Sequence, residues 1–336
     1  MVTFGILAEI NVRTYLREQT GRLTRLNEFL MEKKRLWSII KLILKIGISG
    51  LSLYLVFTKV NLNDLQKAVA TANPWYLLAA FICFVVSTII TSSRLNSFFK
   101  GIGIHISNLF NFKIYLLGMF YNLFLPGGIG GDGYKIFYLR KRMEVKARRL
   151  FQAIFFDRLS GFWALGLIIS ALVIFIPKFG IPAWLPITVV IIGSIAYYYV
   201  MKRFFVDYSH HFISTHLKAI LVQSMQVISI IFLLYALHFD GKFSPYLFIF
   251  LVSSLVAVIP FTMGGLGARE MVFLYGSDIF GIDEHYGVII SLLFYCISAL
   301  VSLSGMYFVL NPKTLEDTGG DVGNLKEIPD LTELNP

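Results

Sequence analysis

The chain has 336 residues, 56% of them hydrophobic and 15% charged, with a formal net charge of +10 at pH 7. This balance excludes a soluble domain of that size and predicts a polytopic membrane protein, with no length left over for a soluble catalytic domain. The positive excess reads as basic cytoplasmic loops and not as a nucleic-acid surface.

Residues 1–37 carry Arg13, Arg17, Arg22, Arg25, Lys33, Lys34 and Arg35, with Val12, Leu16, Leu23, Leu26 and Leu30 at helical spacing. This is a basic amphipathic cytoplasmic extension suited to an anionic leaflet; a loose solvated extension fits equally well. No apolar core ending in small residues marks a signal peptide. Full spans are expected at 38–58, 74–94, 150–176, 183–201, 217–239 and 286–310, each near the ~20 residues a bilayer requires. Two further apolar stretches, 107–125 and 245–262, make eight apolar segments in all. Each runs into a glycine motif and is followed by a second helical piece, near 132–142 and 268–280. Cys83 and Cys296 lie in apolar runs and read as packing residues. Residues 311–336 form an acidic tail expected to be disordered.

The glycine motifs are the strongest local signal. The first holds Pro126, Gly127, Gly128, Gly130, Gly131 and Asp132; the second holds Pro260, Gly264, Gly265, Gly267, Arg269 and Glu270. Glycine and proline break helices, and broken backbone at membrane depth is tolerated only where it is buried in protein or lines a cavity. Two such breaks in corresponding halves point to a transporter-like site at the midplane.

Counting Lys and Arg sets the topology. Lys135, Arg140, Lys141, Arg142, Lys146, Arg148 and Arg149 follow the first motif. They stay cytoplasmic if that motif turns the chain back, and fall outside if the segment crosses. With the turn, both termini are cytoplasmic and the second motif enters from outside. Residues 38–176 and 183–310 then each hold three crossings and one re-entrant broken helix. The expected architecture is therefore an all-α polytopic membrane protein of about six full spans and two re-entrant helices, an inverted-topology repeat occupying residues 38–310. The rival arrangement has eight full spans.

Several charged residues sit where charge is costly. Asp132 and Lys135 open the helix after the first break and suit an anion at a helix N-terminus; Asp132 also suits a capping role. Asp157 and Arg158 interrupt an apolar run. Asp157 is expected to meet Lys135 or Arg269, and Arg158 to meet Asp132 or a phosphate; snorkelling to the cytoplasmic headgroups is the structural alternative. Arg269 suits bidentate phosphate binding, with an ion pair to the first hairpin as the alternative, and Glu270 lies beside it. Arg94 reads as an interfacial anchor. Asn122 is expected to satisfy backbone freed by the break. His210, His211 and His216 read as solvated loop residues with no metal spacing. No cofactor or metal is expected.

Asn122 through Lys135, then Asp157-Arg158, then Pro260 through Glu270 resemble the lysylphosphatidylglycerol synthase transmembrane region, or flippase-like, family over roughly residues 38–310. Lys135 departs from a pattern that more often has Arg. The resemblance implies a multi-pass cell-membrane protein related to the part that translocates aminoacylated phosphatidylglycerol. The expected substrate is an anionic or aminoacylated phospholipid or a polyprenyl phosphate, with an upstream lipid-modifying enzyme as partner. Full-length synthases add a soluble aminoacyl-transferase domain, so lysyl transfer is not expected here. Lys135, Arg158 and Arg269 would hold the lipid phosphate; Asp132, Asp157 and Glu270 would balance them. The alternatives are an intramembrane lipid-linked glycosyl- or phosphotransferase, and a small-solute or ion-coupled transporter.

Overall fold

Asn73 starts the first described helix: its side chain accepts a 3.0 Å hydrogen bond from the Trp75 backbone N–H, and Pro74 occupies the first turn. The computed structural model describes residues 66, 70–124, 130–143, 145–176, 180–258, 267–311 and 313–316, all within one compact unit, Ile48–Pro336. The extension 1–37, the expected span 38–58, Pro126, Gly127, Gly128, Pro260, Gly264, Gly265 and residues 317–336 of the tail lie outside the described residues.

In chain order the helices are α1 Pro74–Gly101, α2 Asn108–Phe124, α3 Gly130–Met143, α4 Ala147–Ile174, α5 Trp184–Phe204, α6 Val206–Ser209, α7 Phe212–Ala236, α8 Phe243–Val258, α9 Ala268–Phe280, α10 Glu284–Leu303, α11 Met306–Leu310 and α12 Lys313–Glu316. No strand occurs among the described residues. The chain is an all-α polytopic membrane protein. Five described helices are long and apolar enough to cross a bilayer: α1, α4, α5, α7 and the α10–α11 pair. They coincide with five of the six spans expected from the sequence.

The antiparallel pair α1 and α7 forms the spine. The Asn73 N–H donates to the Ala236 carbonyl at 2.8 Å at one end, and Ser229 Oγ donates to the Ala80 carbonyl at 2.9 Å in the middle. Lys218 Nζ donates to Ser93 Oγ at 3.0 Å and Ser97 Oγ at 2.9 Å toward the other end. Ala80, Ala219, Ser229 and Ala236 are fully buried, which lets the two backbones approach closely.

The motif helices form two hairpins that start from opposite ends of the bundle. At the basic end, Arg142 near the end of α3 lies over the Phe110 ring near the start of α2, and it also donates to the Leu315 carbonyl. Arg149 of α4 pairs with Asp207 of α6 at this end, and the Asp207 carbonyl lies against Gly101 at the end of α1. At the other end, Phe248 of α8 packs on Phe280 of α9, and the Tyr246 hydroxyl donates to the Asp283 carbonyl at 2.9 Å.

Two apolar cores fill the bundle. One joins Phe84, Leu233, Phe250, Phe273 and Phe294; the other joins Leu95, Phe98, Phe110, Leu139 and Phe156. Between them runs a buried polar layer. Along α1 it comprises Ser87, Thr88, Ser92 and Arg94; along α4 it comprises Asp157 and Ser160. Hydroxyls of this kind return hydrogen bonds to their own helix, as Ser87 and Thr88 do to the Phe84 carbonyl. The charges of this layer, Arg94 and Asp157, find their partner across the bundle.

Candidate functional site

The close approach of α2 and α3 builds the first part of the site. A side chain at Gly131 would strike the Gly118 carbonyl oxygen, and one at Gly118 would strike Lys135. Glycine is required at this contact because no Cβ fits between the backbones. Asn122 Oδ1 accepts from the Gly131 N–H at 2.8 Å. This is one of the four N-terminal N–H groups a helix leaves unpaired, so Asn122 has the expected structural role.

Asp132 and Lys135 lie one turn apart on α3, both buried, with Lys135 Nζ 3.0 Å from Asp132 Oδ1. Arg158 Nε donates to the second oxygen, Oδ2, at 2.6 Å. Asp132 lies in the first turn of its helix, and both of its carboxylate oxygens are engaged by cations. A full charge at this depth gains more from an opposite charge than from a backbone dipole. Lys135 Nζ also stands 4.6 Å from the centre of the Tyr115 ring.

Asp157 meets neither Lys135 nor Arg269. It meets Arg94, whose Nε and Nη2 reach its two oxygens at 2.7 and 3.2 Å. Arg94 is 4% exposed. The interfacial-anchor expectation is therefore overturned: α1 runs seven residues past Arg94, which places the guanidinium inside the bundle. A sequence signal existed, since Arg94 and Asp157 are charges of opposite sign in two separate apolar runs. The Asp157-Arg158 pair does not simply snorkel: Asp157 is held by Arg94, and Arg158 donates to Asp132.

Together, Arg94, Lys135 and Arg158 supply three positive charges against two carboxylates, Asp132 and Asp157, a net of +1. Of these five, Arg158 is the most accessible, with its side chain 35% exposed.

The second motif builds a separate cluster. Gly267 adopts φ +83°, a left-handed conformation open to glycine, and α9 begins at the next residue. Glu270 reaches back one turn, where Oε2 accepts from the Gly267 N–H at 2.7 Å. This is the return half of a capping box, the only half that a glycine permits. Oε1 accepts from the Ser291 hydroxyl of α10 at 2.7 Å. Arg269 Nη1 donates to Ser254 of α8 at 3.3 Å, and its guanidinium lies 5.7 Å from the Phe250 ring centre and 5.3 Å from that of Phe294. No hydrogen bond or ion pair joins Arg269 or Glu270 to the first cluster among the described residues. The expected pair between the two hairpins does not form, because aromatic faces hold the Arg269 cation instead.

His216 is not a solvated loop residue. It lies in α7, 4% exposed, stacked on Phe212 with ring centres 3.8 Å apart. Its Nδ1 is 2.7 Å from the Phe212 carbonyl, which can only accept, so Nδ1 carries the hydrogen. The helix begins before its apolar run, and flanking aromatics shelter the ring. Among the described residues no three His, Cys, Asp or Glu side chains group as metal ligands, and both cysteines are free thiols.

Residues 42–305 match the family described as the lysylphosphatidylglycerol synthase TM region. The chain belongs to that family. It is 26% identical over 279 residues to the phosphatidylglycerol lysyltransferase of Staphylococcus haemolyticus, a match covering 78% of this chain and 32% of that protein. A UPF0104 membrane protein of Methanocaldococcus jannaschii is 28% identical over 113 residues, 33% of each chain. The matched region thus spans about a third of the length of each relative. The family match covers both hairpins, every member of the two charged clusters, four of the long apolar helices and all of α10.

Proposed function

We propose that this protein is a membrane lipid translocase that binds the phosphate of an anionic or aminoacylated phospholipid, or of a polyprenyl phosphate, at the first hairpin. The observation that carries this reading is the net +1 cluster of Arg94, Lys135, Arg158, Asp132 and Asp157 within an apolar bundle. One phosphodiester anion neutralises it. Arg158 is the member a headgroup reaches first, and its planar guanidinium offers paired donors to phosphate oxygens. Asp132 and Asp157 are both held by cations, which leaves neither as a general base and disfavours the lipid-linked transferase.

The two hairpins support the mechanism. With the basic end cytoplasmic, they enter from opposite faces as re-entrant elements of an inverted-topology repeat. Rocking one repeat against the other then alternates access to the site. The relative named as a phosphatidylglycerol lysyltransferase points to phosphatidylglycerol or its lysyl form as the first substrates to test.

Purified protein reconstituted in phosphatidylglycerol vesicles should speed the passage of fluorescent phosphatidylglycerol between leaflets, measured by quenching from outside. Passage no faster than in protein-free vesicles, across anionic, lysylated and polyprenyl-phosphate probes, would refute the reading.

A further inference from the structure

Ser93 and Arg94 are adjacent on α1 and belong to different surfaces. Arg94 is buried and paired with Asp157. Ser93 lies on the outer stripe of the helix, about 100° round the axis. That stripe recurs every three or four residues. Leu78, Ile82, Val86 and Ile89 form its first part, and all are exposed. Ser93, Ser97 and Lys100 continue it, and Lys100 is exposed at the basic end. From Leu78 to Lys100 the stripe is about 33 Å long, close to the ~30 Å of a hydrocarbon core. Its apolar part therefore meets acyl chains, and its polar part meets headgroups.

α7 brings a cation to the polar part. Lys218 Nζ donates to Ser97 Oγ at 2.9 Å, to Ser93 Oγ at 3.0 Å and to the Ser93 carbonyl at 3.3 Å. These bonds hold the half-buried lysine in the groove between α1 and α7. Leu217 and Leu221 flank it along α7, and both are exposed.

Lys100 lies within electrostatic reach of Lys218. The three oxygens that hold Lys218 are all uncharged. Among the described residues no ion pair includes Lys218 or Lys100. Asp207, whose carbonyl lies against the end of α1, has its carboxylate 3.0 Å from Arg149. Two neighbouring cations repel, and an anion between them replaces repulsion with attraction. At headgroup level the bilayer itself supplies such anions, as lipid phosphates.

We propose that the outer groove between α1 and α7 is a binding site for an anionic phospholipid, separate from the site at the first hairpin. The phosphate lies at Lys218 and Lys100, with Ser93 and Ser97 positioning the Lys218 ammonium. An acyl chain runs along Val86, Ile89 and Leu221. The bound lipid bridges the two helices of the spine. This inference stands on the groove alone and does not require that the protein move lipid. The groove opens to the bilayer, so its lipid exchanges with the bulk and is best read in the membrane.

The test uses the full chain in vesicles of equal parts phosphatidylcholine and phosphatidylglycerol. Each sample carries a trace of one lipid or the other with a photoreactive diazirine in the same acyl chain, and labelled residues are mapped by mass spectrometry. Phosphatidylglycerol should label Ile89, Leu217 and Leu221 several-fold more than phosphatidylcholine does. Ile191 and Ile192, exposed on α5, should be labelled equally by both. Lys218→Met combined with Lys100→Gln should abolish the preference, and Lys218→Arg should keep it. Arg158→Gln should also keep it, because that residue serves the other site. Equal labelling of the groove by the two lipids in the wild type overturns the proposal, as does a preference that survives loss of both lysines. A preference lost in Arg158→Gln would assign the lipid to the first hairpin and overturn a separate site. If the double variant fails to fold, the wild-type and Arg158→Gln comparisons still decide.

Discussion

Arg94 on α1 and Asp157 on α4 face each other through two hydrogen bonds, Nε to Oδ1 at 2.7 Å and Nη2 to Oδ2 at 3.2 Å, with both side chains less than a tenth exposed. The pair ties two long apolar helices together inside the polar layer. Removing one partner strands the other charge, so Arg94→Ala or Asp157→Ala should each cost about 3–5 kcal/mol. Replacing both, as Arg94→Met with Asp157→Leu, should cost much less than the sum of the two single changes. Thermal unfolding of the four proteins in one detergent gives the comparison, and additive losses would show that the pair does not act as a unit.

Gly131 and Gly133 stand two residues apart on α3 in opposite environments. A Cβ at Gly131 strikes the Gly118 carbonyl, whereas a Cβ at Gly133 meets nothing within 4 Å. Gly131→Ala should therefore force the hairpin apart and lower the unfolding temperature markedly. Gly133→Ala should be neutral or stabilising by up to about 1 kcal/mol, through better helix propensity. Equal effects from the two substitutions would contradict the close α2–α3 approach.

The charge excess of the first cluster makes a signed prediction about bound lipid. Arg158→Gln takes the cluster from +1 to neutral and should reduce co-purified anionic phospholipid several-fold in native mass spectrometry. Asp132→Asn takes it to +2 and should hold or increase that lipid. Loss of anionic lipid from both variants would mean that the cluster serves the fold and not a phosphate.

The opposed hairpins predict opposed accessibility. Arg140 on α3 and Asp278 on α9 are both exposed. In protein lacking Cys83 and Cys296, a cysteine at Arg140 should react with an impermeant maleimide only from the cytoplasmic side, and one at Asp278 only from outside. Labelling of both from the same side would remove the inverted repeat.

Much of the fold was legible in the sequence because a bilayer imposes length and composition directly. The five described spans lie where their apolar runs lie, and Asn122 was recognisable as the acceptor for a freed N–H. Asp132 meeting Arg158 was one of two pairings open to that arginine. Arg94, Gly118, Ser254, Ser291 and His216 were not recognised. Each is one residue in an apolar run, and its role depends on what the neighbouring helix presents.

By itself the sequence determined an all-α membrane protein with two glycine-broken segments and charges set unusually deep, since apolar length, helix breakers and Lys/Arg distribution act locally along the chain. Only the tertiary structure decided how those charges are neutralised. Asp157 chose Arg94, Asp132 gathered Lys135 and Arg158, Arg269 turned to aromatic rings, and Glu270 was left with two neutral donors. The reason is distance. Coulombic attraction and hydrogen bonding favour partners a few ångströms apart, and which side chains come that close is fixed by the helix packing.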